Sequence, residues 1–171
     1  HVQRVKLRRP GTLAHWPGGI VVSFCKSGSV GGTLVLDRGD INLTFKRYLE
    51  SPVRLTLESD YVTRIEGSGA DAEMMKSYLA AWGDREAYAV SHVGFGLNRK
   101  ARYESLAMYD RQHSNGTELR AVAGNFLFST GANEFAGRYT AGHFDIPVMR
   151  TTIAVDGTEV IKNGVLLDVF G

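Results

Sequence analysis

The sequence predicts an α+β fold that is rich in β structure, with mainly antiparallel strands, one clear helix and β-hairpins near the C-terminal end. Glycine occurs 20 times in 171 residues and separates short runs of Val, Ile, Leu, Thr and Phe, a pattern typical of antiparallel sheets. One stretch alone has clear helical periodicity. Asp156-Gly157 and Asn163-Gly164 are preferred sequences for two-residue hairpin turns, because both positions need positive φ.

The predicted strands are apolar or alternating runs bounded by turn residues. They are Ile20 to Phe24, Thr33 to Leu36, Val53 to Glu58, Tyr61 to Glu66, Tyr88 to Gly94, Leu119 to Phe128, His143 to Val148 and Thr151 to Val155. The last of these begins a meander that continues through Glu159 to Ile161 and Val165 to Val169.

The helix is predicted over Ala70 to Trp82, where apolar residues recur at spacings of three and four. These residues are Met74, Met75, Tyr78, Leu79 and Trp82. Ser68 or Asp71 can cap its start, and Gly83 follows its end.

The composition fits one soluble domain, with 43% hydrophobic and 22% charged residues. No apolar run is long enough to cross a bilayer, so no membrane partner is expected. Cys25 is the single cysteine, which favours a cytoplasmic location and gives Cys25 no role. Lys6, Arg8 and Arg9 form a short basic cluster without interleaved aromatics, so a solvated strand edge is expected and nucleic-acid binding is not.

One strand carries an imidazole and a carboxylate two residues apart. His143 and Asp145 would project from the same face of an extended strand and could reach one metal ion. Phe144 would point into the core, and Pro147 would end regular pairing just beyond. The pair alone is weak evidence, because a surface pair or a hydrogen-bonded couple has the same sequence.

His92 is the best candidate for a third ligand. It lies in a strand that runs into Gly94 and Gly96, where backbone and ligand can approach closely. A core histidine bonded to a backbone carbonyl is the alternative. With His143 and Asp145 it would complete the two-histidine, one-carboxylate set of mononuclear non-haem Fe(II) oxygenases, which leaves positions for a chelating substrate and O2.

Two further histidines can be placed by their neighbours. His113 lies in a polar turn and is expected to be exposed. His15 precedes Trp16-Pro17-Gly18-Gly19, a constrained turn that could close over a substrate. The residues alone leave both an exposed loop histidine and an acid/base role open.

Four segments and the terminal hairpins together resemble the C-terminal half of the 2,5-dihydroxypyridine 5,6-dioxygenase family. They are His15-Trp16-Pro17-Gly18-Gly19, His92-Val93-Gly94-Phe95-Gly96-Leu97-Asn98, Ala123-Gly124-Asn125, Gly142-His143-Phe144-Asp145 and the hairpins from Val155-Asp156-Gly157 to Lys162-Asn163-Gly164. The resemblance covers nearly all of the chain. That family is related in fold to the thermophilic metalloaminopeptidases, so fold alone does not decide the function.

The resemblance implies cleavage of a small aromatic N-heterocycle, 2,5-dihydroxypyridine, by O2 to N-formylmaleamate in nicotinate degradation. Fe(II) would bind His92, His143 and Asp145, and His15 would be the catalytic residue that deprotonates or holds a substrate hydroxyl. Residues 1–171 would form one metal-binding domain, the C-terminal half of a longer chain. A homo-oligomer is expected, with the α/β N-terminal half as a neighbour.

Three alternatives to the ring-cleaving dioxygenase are considered. A metalloaminopeptidase-like hydrolase is the main alternative, although Ile20 and His92 stand where the resemblance to the peptidases calls for glutamates. Its nearest general-base candidates in sequence are Glu104 and Glu118. A 2-oxoglutarate oxygenase is disfavoured, because its His-x-Asp pair precedes the distant histidine. A β-rich interaction domain with structural histidines is the non-enzymatic alternative.

Overall fold

The computed structural model describes residues 2–3 and 16–168. In this part of the chain the strands are β1 Val2–Gln3, β2 Ile20–Phe24, β3 Gly32–Leu36, β4 Ile41–Asn42, β5 Arg47–Tyr48, β6 Val53–Glu58, β7 Tyr61–Glu66, β8 Val90–Gly96, β9 Phe126–Thr130, β10 Phe144–Val148, β11 Ile153–Val155, β12 Thr158–Lys162 and β13 Val165–Leu166. The α-helices are α1 Ala70–Ala81, α2 Ser105–Met108 and α3 Thr117–Ala121, and short 3-10 helices cover Arg85–Tyr88 and Glu134–Ala136.

The strands form several small sheets and one larger sheet. The larger sheet has five strands in the order β1-β2-β8-β9-β10. Two three-stranded sheets have the orders β3-β6-β7 and β11-β12-β13, and β4 pairs with β5. The strand pairs β1-β2, β3-β6, β4-β5, β6-β7, β11-β12 and β12-β13 are antiparallel. The β-rich α+β class predicted from the sequence is therefore confirmed.

The chain divides into two compact units. The first contains residues 94–127 with segments before residue 23 and after residue 148, and the second contains residues 23–93 and 128–148. Whether the chain behaves as the predicted single domain stays a prediction. No helix in the described ranges is long and apolar enough to span a membrane.

Several predicted elements match the structure closely. Strands Ile20–Phe24, Val53–Glu58 and Tyr61–Glu66 have the predicted bounds. The hairpin turns have the expected positive φ at Asp156-Gly157 (50° and 81°) and Asn163-Gly164 (49° and 78°). The residue types in these turns are therefore sufficient to predict their backbone conformation.

The predicted strand from Leu119 to Phe128 is wrong in its first part, because the chain forms α3 up to Ala121 and enters β9 only at Phe126. The buried amide of Asn125 explains the break. Its Nδ2 donates to the carbonyls of Leu119 and Arg120, at the end of α3, at 2.8 and 3.1 Å. Its Oδ1 accepts from the Gly96 amide at 2.6 Å. A side chain that satisfies carbonyls at a helix end stabilises the helix over a continuous strand.

The predicted capping of α1 by Ser68 or Asp71 is also wrong. Gly69 is the N-cap and no side chain caps the helix. Asp71 is buried and accepts from the amides of Glu50 and Ser51 at 2.9 and 3.0 Å. The carboxylate therefore stabilises the turn before β6, where two amide donors would otherwise lack partners.

β10 ends at Val148, which is the predicted end of this strand, and Pro147 lies within the strand, one residue before its end. Within the described sheet β10 stands at the end of the strand order. A proline is tolerated in an edge strand, since its missing N–H can face away from the ladder.

A buried ion pair stabilises the second unit. Arg138 contacts the carboxylate of Asp60 and also donates to the Val90 carbonyl at 3.4 Å. Burial would raise the pKa of Asp60, but hydrogen bonds from Arg138 and from the Gly28 and Val30 amides outweigh it and lower the pKa. The carboxylate is therefore charged and depends on these donors.

We expect Arg138→Met to lower the free energy of unfolding by about 3–5 kcal/mol, because it leaves the Asp60 charge buried without its cation. Urea unfolding measures this change. Arg64→Met is the matched control: Arg64 is exposed and lies 3.9 Å from Glu66, a surface pair that contributes about 0–1 kcal/mol. Equal effects of the two substitutions would contradict a structural role for the buried pair.

Candidate metal centre

The three candidate ligands lie in the second unit, on β8 and at the start of β10. His92 is in the middle of β8, Asp145 is in β10, and His143 directly precedes β10. His143 and Asp145 are related by the two-residue repeat of extended chain, which directs both side chains to one side. Phe144, between them, is fully buried, as predicted.

Aromatic packing fixes the opposite face of this segment. Phe144 makes edge contacts with Phe45 and Tyr78, with ring centroids 5.5 and 4.7 Å apart. The Tyr78 hydroxyl donates to the His143 carbonyl at 3.2 Å, and the Leu43 amide donates to the Asp145 carbonyl at 2.9 Å. The backbone that carries the imidazole and the carboxylate is therefore anchored from α1 and from the end of β4.

The structure brings His92, His143 and Asp145 together. Nε2 of His92 lies 3.6 Å from Oδ1 of Asp145, and Nε2 of His143 lies 3.2 Å from Oδ2. The two imidazole centroids are 6.2 Å apart. Two ligands that lie about 2.1 Å from one metal at a right angle are about 3.0 Å apart, so the separation of His143 from Asp145 is near this spacing and that of His92 is longer.

The arrangement is two histidine–carboxylate pairs that share one aspartate, rather than a closed cage. Among the described side chains, no group of three His, Cys, Asp or Glu residues has the spacing of a preformed metal site. Both close contacts involve an oxygen of Asp145. The carboxylate is the common element of the centre.

The hydrogen bond made by His143 indicates which of its ring nitrogens has a lone pair for a metal ion. Nδ1 of His143 lies 2.9 Å from the carbonyl oxygen of Thr130. A carbonyl only accepts, so this Nδ1 must carry the proton. In the neutral ring Nε2 then has a lone pair, and it faces a carboxylate oxygen that also only accepts. Two such acceptors repel unless a proton or a metal ion lies between them, so the donor set suits a cation.

Solvent has limited access to the carboxylate. The Asp145 side chain is 11% exposed and that of His92 is 18% exposed, whereas the His143 side chain is 47% exposed. Electrostatic attraction to a cation is stronger where water is largely excluded. The open side of the centre lies at His143, where a small molecule could approach.

Exposed aromatic side chains lie beside His92. The Phe24 ring centroid is 5.7 Å from that of His92 and 5.0 Å from that of Phe135. Phe24 is 43% exposed and Phe135 is 80% exposed. Exposed aromatic rings next to polar ligands provide a surface on which a flat ring can pack.

The other residues singled out in the sequence are placed as follows. His15 lies outside the described residues, so its predicted role stays a prediction. His113 is exposed, as expected. Glu118 accepts from the Arg102 amide at 2.9 Å, and Glu104 lies 3.7 Å from the Arg102 side chain. Burial and the Asp60 carboxylate raise the pKa of the Cys25 thiol, which is consistent with no reactive role.

Gly94 and Gly96 take part in close backbone contacts. A Cβ at Gly94 would collide with the Val21 carbonyl, and one at Gly96 would collide with the Val122 carbonyl. These glycines allow backbone to approach backbone within the first unit. The prediction that they admit a ligand stays untested.

A cleft of about 690 Å³ lies in the first unit, away in sequence from the candidate ligands. Its lining includes Trp16, Tyr109, His113 and Glu118. We assign it no role, because it brings together no set of converging donors comparable to that around Asp145.

Sequence reasoning missed the groups that orient the two imidazoles. One is the backbone carbonyl of Thr130, which has no sequence signature. Another is the hydroxyl of Ser91, 3.2 Å from Nδ1 of His92. A serine beside a candidate ligand histidine is a visible signal, but it cannot be distinguished in sequence from an ordinary strand residue.

Comparison with known proteins gives one consistent result. The family model for 2,5-dihydroxypyridine 5,6-dioxygenase matches residues 5–168. A protein of Pseudomonas putida (strain KT2440) named 2,5-dihydroxypyridine 5,6-dioxygenase is 40% identical over 157 residues, which cover 91% of this chain and 45% of that protein. The solved structure of 2,5-dihydroxypyridine dioxygenase from Pseudomonas putida KT2440 superposes with a TM-score of 0.87 and 38% identity, over 92% of this chain and 46% of that one.

The chain thus spans about half the length of the relatives that it matches. The match nevertheless runs through nearly the whole sequence, and its range spans the positions of the candidate centre. The resemblance expected from the sequence motifs is confirmed, and the chain belongs to the 2,5-dihydroxypyridine 5,6-dioxygenase family.

Proposed function

We propose that this chain carries the iron-binding part of a dioxygenase that opens the ring of 2,5-dihydroxypyridine between C5 and C6. The observation that carries the proposal is the convergence of two Nε2 atoms on the Asp145 carboxylate. Family membership supports the substrate, and the nitrogen-rich donor set supports iron. The hydrolase alternative gains nothing from the family match.

His92, His143 and Asp145 would hold Fe(II). When bound, the ion supplies redox chemistry and open coordination positions for O2 and a chelating substrate. Two neutral imidazoles and one carboxylate leave one positive charge of Fe(II) uncompensated. An anionic substrate oxygen would neutralise it, so removal of a proton from a substrate hydroxyl favours binding at this centre.

His15 is the proposed group for that proton transfer, on the family resemblance. A histidine suits the role because its pKa in water is close to neutrality. Phe24 and Phe135 are proposed to contact the ring of the substrate, since both present exposed aromatic faces beside His92. The homo-oligomer, the contribution of an N-terminal α/β half and a cytoplasmic location are also proposals.

We expect His143→Ala to lose bound iron and turnover together, because it removes a ligand nitrogen. The loss should exceed the roughly 10- to 100-fold effect of losing a partner that merely orients a ligand. The complete protein is depleted of metal without oxygen and reloaded with Fe(II) or Zn(II). Iron content and oxygen consumption with 2,5-dihydroxypyridine are then measured.

His113→Ala is the matched control, since His113 is an exposed histidine and should keep both iron and activity. Full activity of an iron-free, zinc-loaded preparation would refute the oxygenase proposal. Retention of iron by His143→Ala would refute the ligand set.

His15→Ala is expected to retain iron but to reduce kcat by about 10²- to 10⁴-fold, the usual contribution of a positioned acid or base. Iron content and steady-state rates measured on the same preparation separate the two effects. Iron loss as severe as that of His143→Ala would make His15 a ligand instead. An unchanged rate would remove it from the mechanism.

Phe24→Ala is expected to raise KM for the pyridine about 2- to 10-fold with little change in iron content, because an aromatic contact contributes about 0.5–1.5 kcal/mol beyond its buried area. Steady-state kinetics with the substrate varied measure this change. Val35→Ala, at an exposed apolar strand position, is the control and should leave KM unchanged. An equal KM in both variants would show that Phe24 does not contact the ring.

A further inference from the structure

The hydroxyl of Ser91 lies between a backbone carbonyl and the candidate ligand His92. Ser91 is buried, with 3% of its surface exposed. Its Oγ is 2.5 Å from the Ala132 carbonyl oxygen and 3.2 Å from Nδ1 of His92. Ser91 is not one of the proposed metal ligands, so its contact with His92 needs another explanation.

The proton count of these groups determines the direction of each hydrogen bond. A serine hydroxyl has one proton to donate, and a carbonyl oxygen can only accept. At 2.5 Å the Ser91 proton is committed to Ala132. The contact with His92 is then favourable only if Nδ1 of His92 donates to the Ser91 oxygen, which requires that Nδ1 carry the proton. The neutral His92 ring then has its lone pair on Nε2, the atom that faces Asp145.

We infer that Ser91 is a positioning residue that fixes His92 in the tautomer able to bind the metal. The inference rests on the proposed function, since it assigns the Nε2 lone pair of His92 to the proposed iron site. Without an acceptor at Nδ1 the ring can place its proton on either nitrogen, and a protonated Nε2 cannot bind a metal ion.

One short segment orients both imidazoles in this way. The Thr130 carbonyl accepts from Nδ1 of His143, and the Ala132 carbonyl accepts from Ser91, which in turn accepts from His92. Gly131, between them, has φ 120° and donates its amide to the Ala89 carbonyl at 2.8 Å. A Cβ at Gly131 would lie 3.2 Å from Nδ1 of His143, so a larger residue would crowd this ring.

The two histidines differ in whether a substitution can remove the group that accepts from Nδ1. For His143 the acceptor is a backbone carbonyl, which no substitution deletes. For His92 the Ser91 hydroxyl is a side-chain acceptor, and Ser91→Ala removes that hydroxyl while keeping the strand residue small. The structure therefore offers a direct test of the tautomer at one ligand only.

The experiment measures the affinity of the complete protein for Fe(II) alone, by anaerobic titration against a competing chelator. Ser91→Ala should bind Fe(II) about 10- to 100-fold more weakly, the usual effect of removing a group that orients a ligand histidine. Ser91→Thr keeps the hydroxyl and should stay close to wild type. Co(II) absorption spectra of the same variants provide a second readout, because they report ligand geometry without turnover.

Ser29→Ala is the matched control. The Ser29 hydroxyl also donates to a carbonyl, that of Lys26 at 2.6 Å, but it is exposed and contacts no histidine. Urea unfolding of the metal-free variants tests the purely structural alternative, in which Ser91 only connects β8 to residue 132. That alternative predicts lower stability of Ser91→Ala with unchanged Fe(II) affinity.

Unchanged Fe(II) affinity of Ser91→Ala would overturn the inference and leave the proposed function intact. Equal weakening of Ser91→Ala and Ser91→Thr would also overturn it, because the hydroxyl would then not be the determinant. A wild-type protein that binds no Fe(II), or a His143→Ala variant that binds it normally, would overturn the proposed function itself.

Discussion

The proximity of two imidazole nitrogens to a single carboxylate is the constraint on which the rest of the second unit depends. An ionised Asp145 can only accept, and the Nε2 atom of a neutral His143 ring that is protonated at Nδ1 can only accept as well. Such groups are stable together when a cation lies between them. Surrounding elements hold these atoms in place, and a proton or a metal ion between them would remove their repulsion.

The surrounding elements hold the centre from three directions. Phe144 packs into an aromatic cluster behind β10, so the strand cannot rotate without exposing that ring. Arg138 and Asp60 hold the backbone of Val90, two residues before His92: the guanidinium donates to the carbonyl, and the Asp60 carbonyl accepts from the Val90 amide at 2.7 Å. The segment around Gly131 supplies the acceptors that orient the rings. Packing, a buried ion pair and main-chain hydrogen bonds thus act on one small set of atoms.

Much of this could be predicted from the sequence where local physics is decisive. The alternation of His143, Phe144 and Asp145 placed two polar groups on one side and the aromatic ring on the other, and the hairpin turns followed from Asp-Gly and Asn-Gly. The misjudged regions depend on distant partners. Asn125 ends a helix by reaching its carbonyls and an amide from β8, and Asp71 serves a turn rather than its own helix. The orienting carbonyl of Thr130 belongs to the backbone, which residue identity does not report.

Pro147 has a consequence for how the strand that carries Asp145 can pair with another strand. β10 is the last strand of the larger sheet in the described part of the chain, and an unprotected edge can pair with the edge of another molecule. A proline there withholds one amide donor, and the Leu43 amide already occupies the Asp145 carbonyl. This edge is therefore a poorer template for pairing with another strand, at the segment that bears the candidate carboxylate. Pro147 thus leaves this edge one hydrogen-bond donor short.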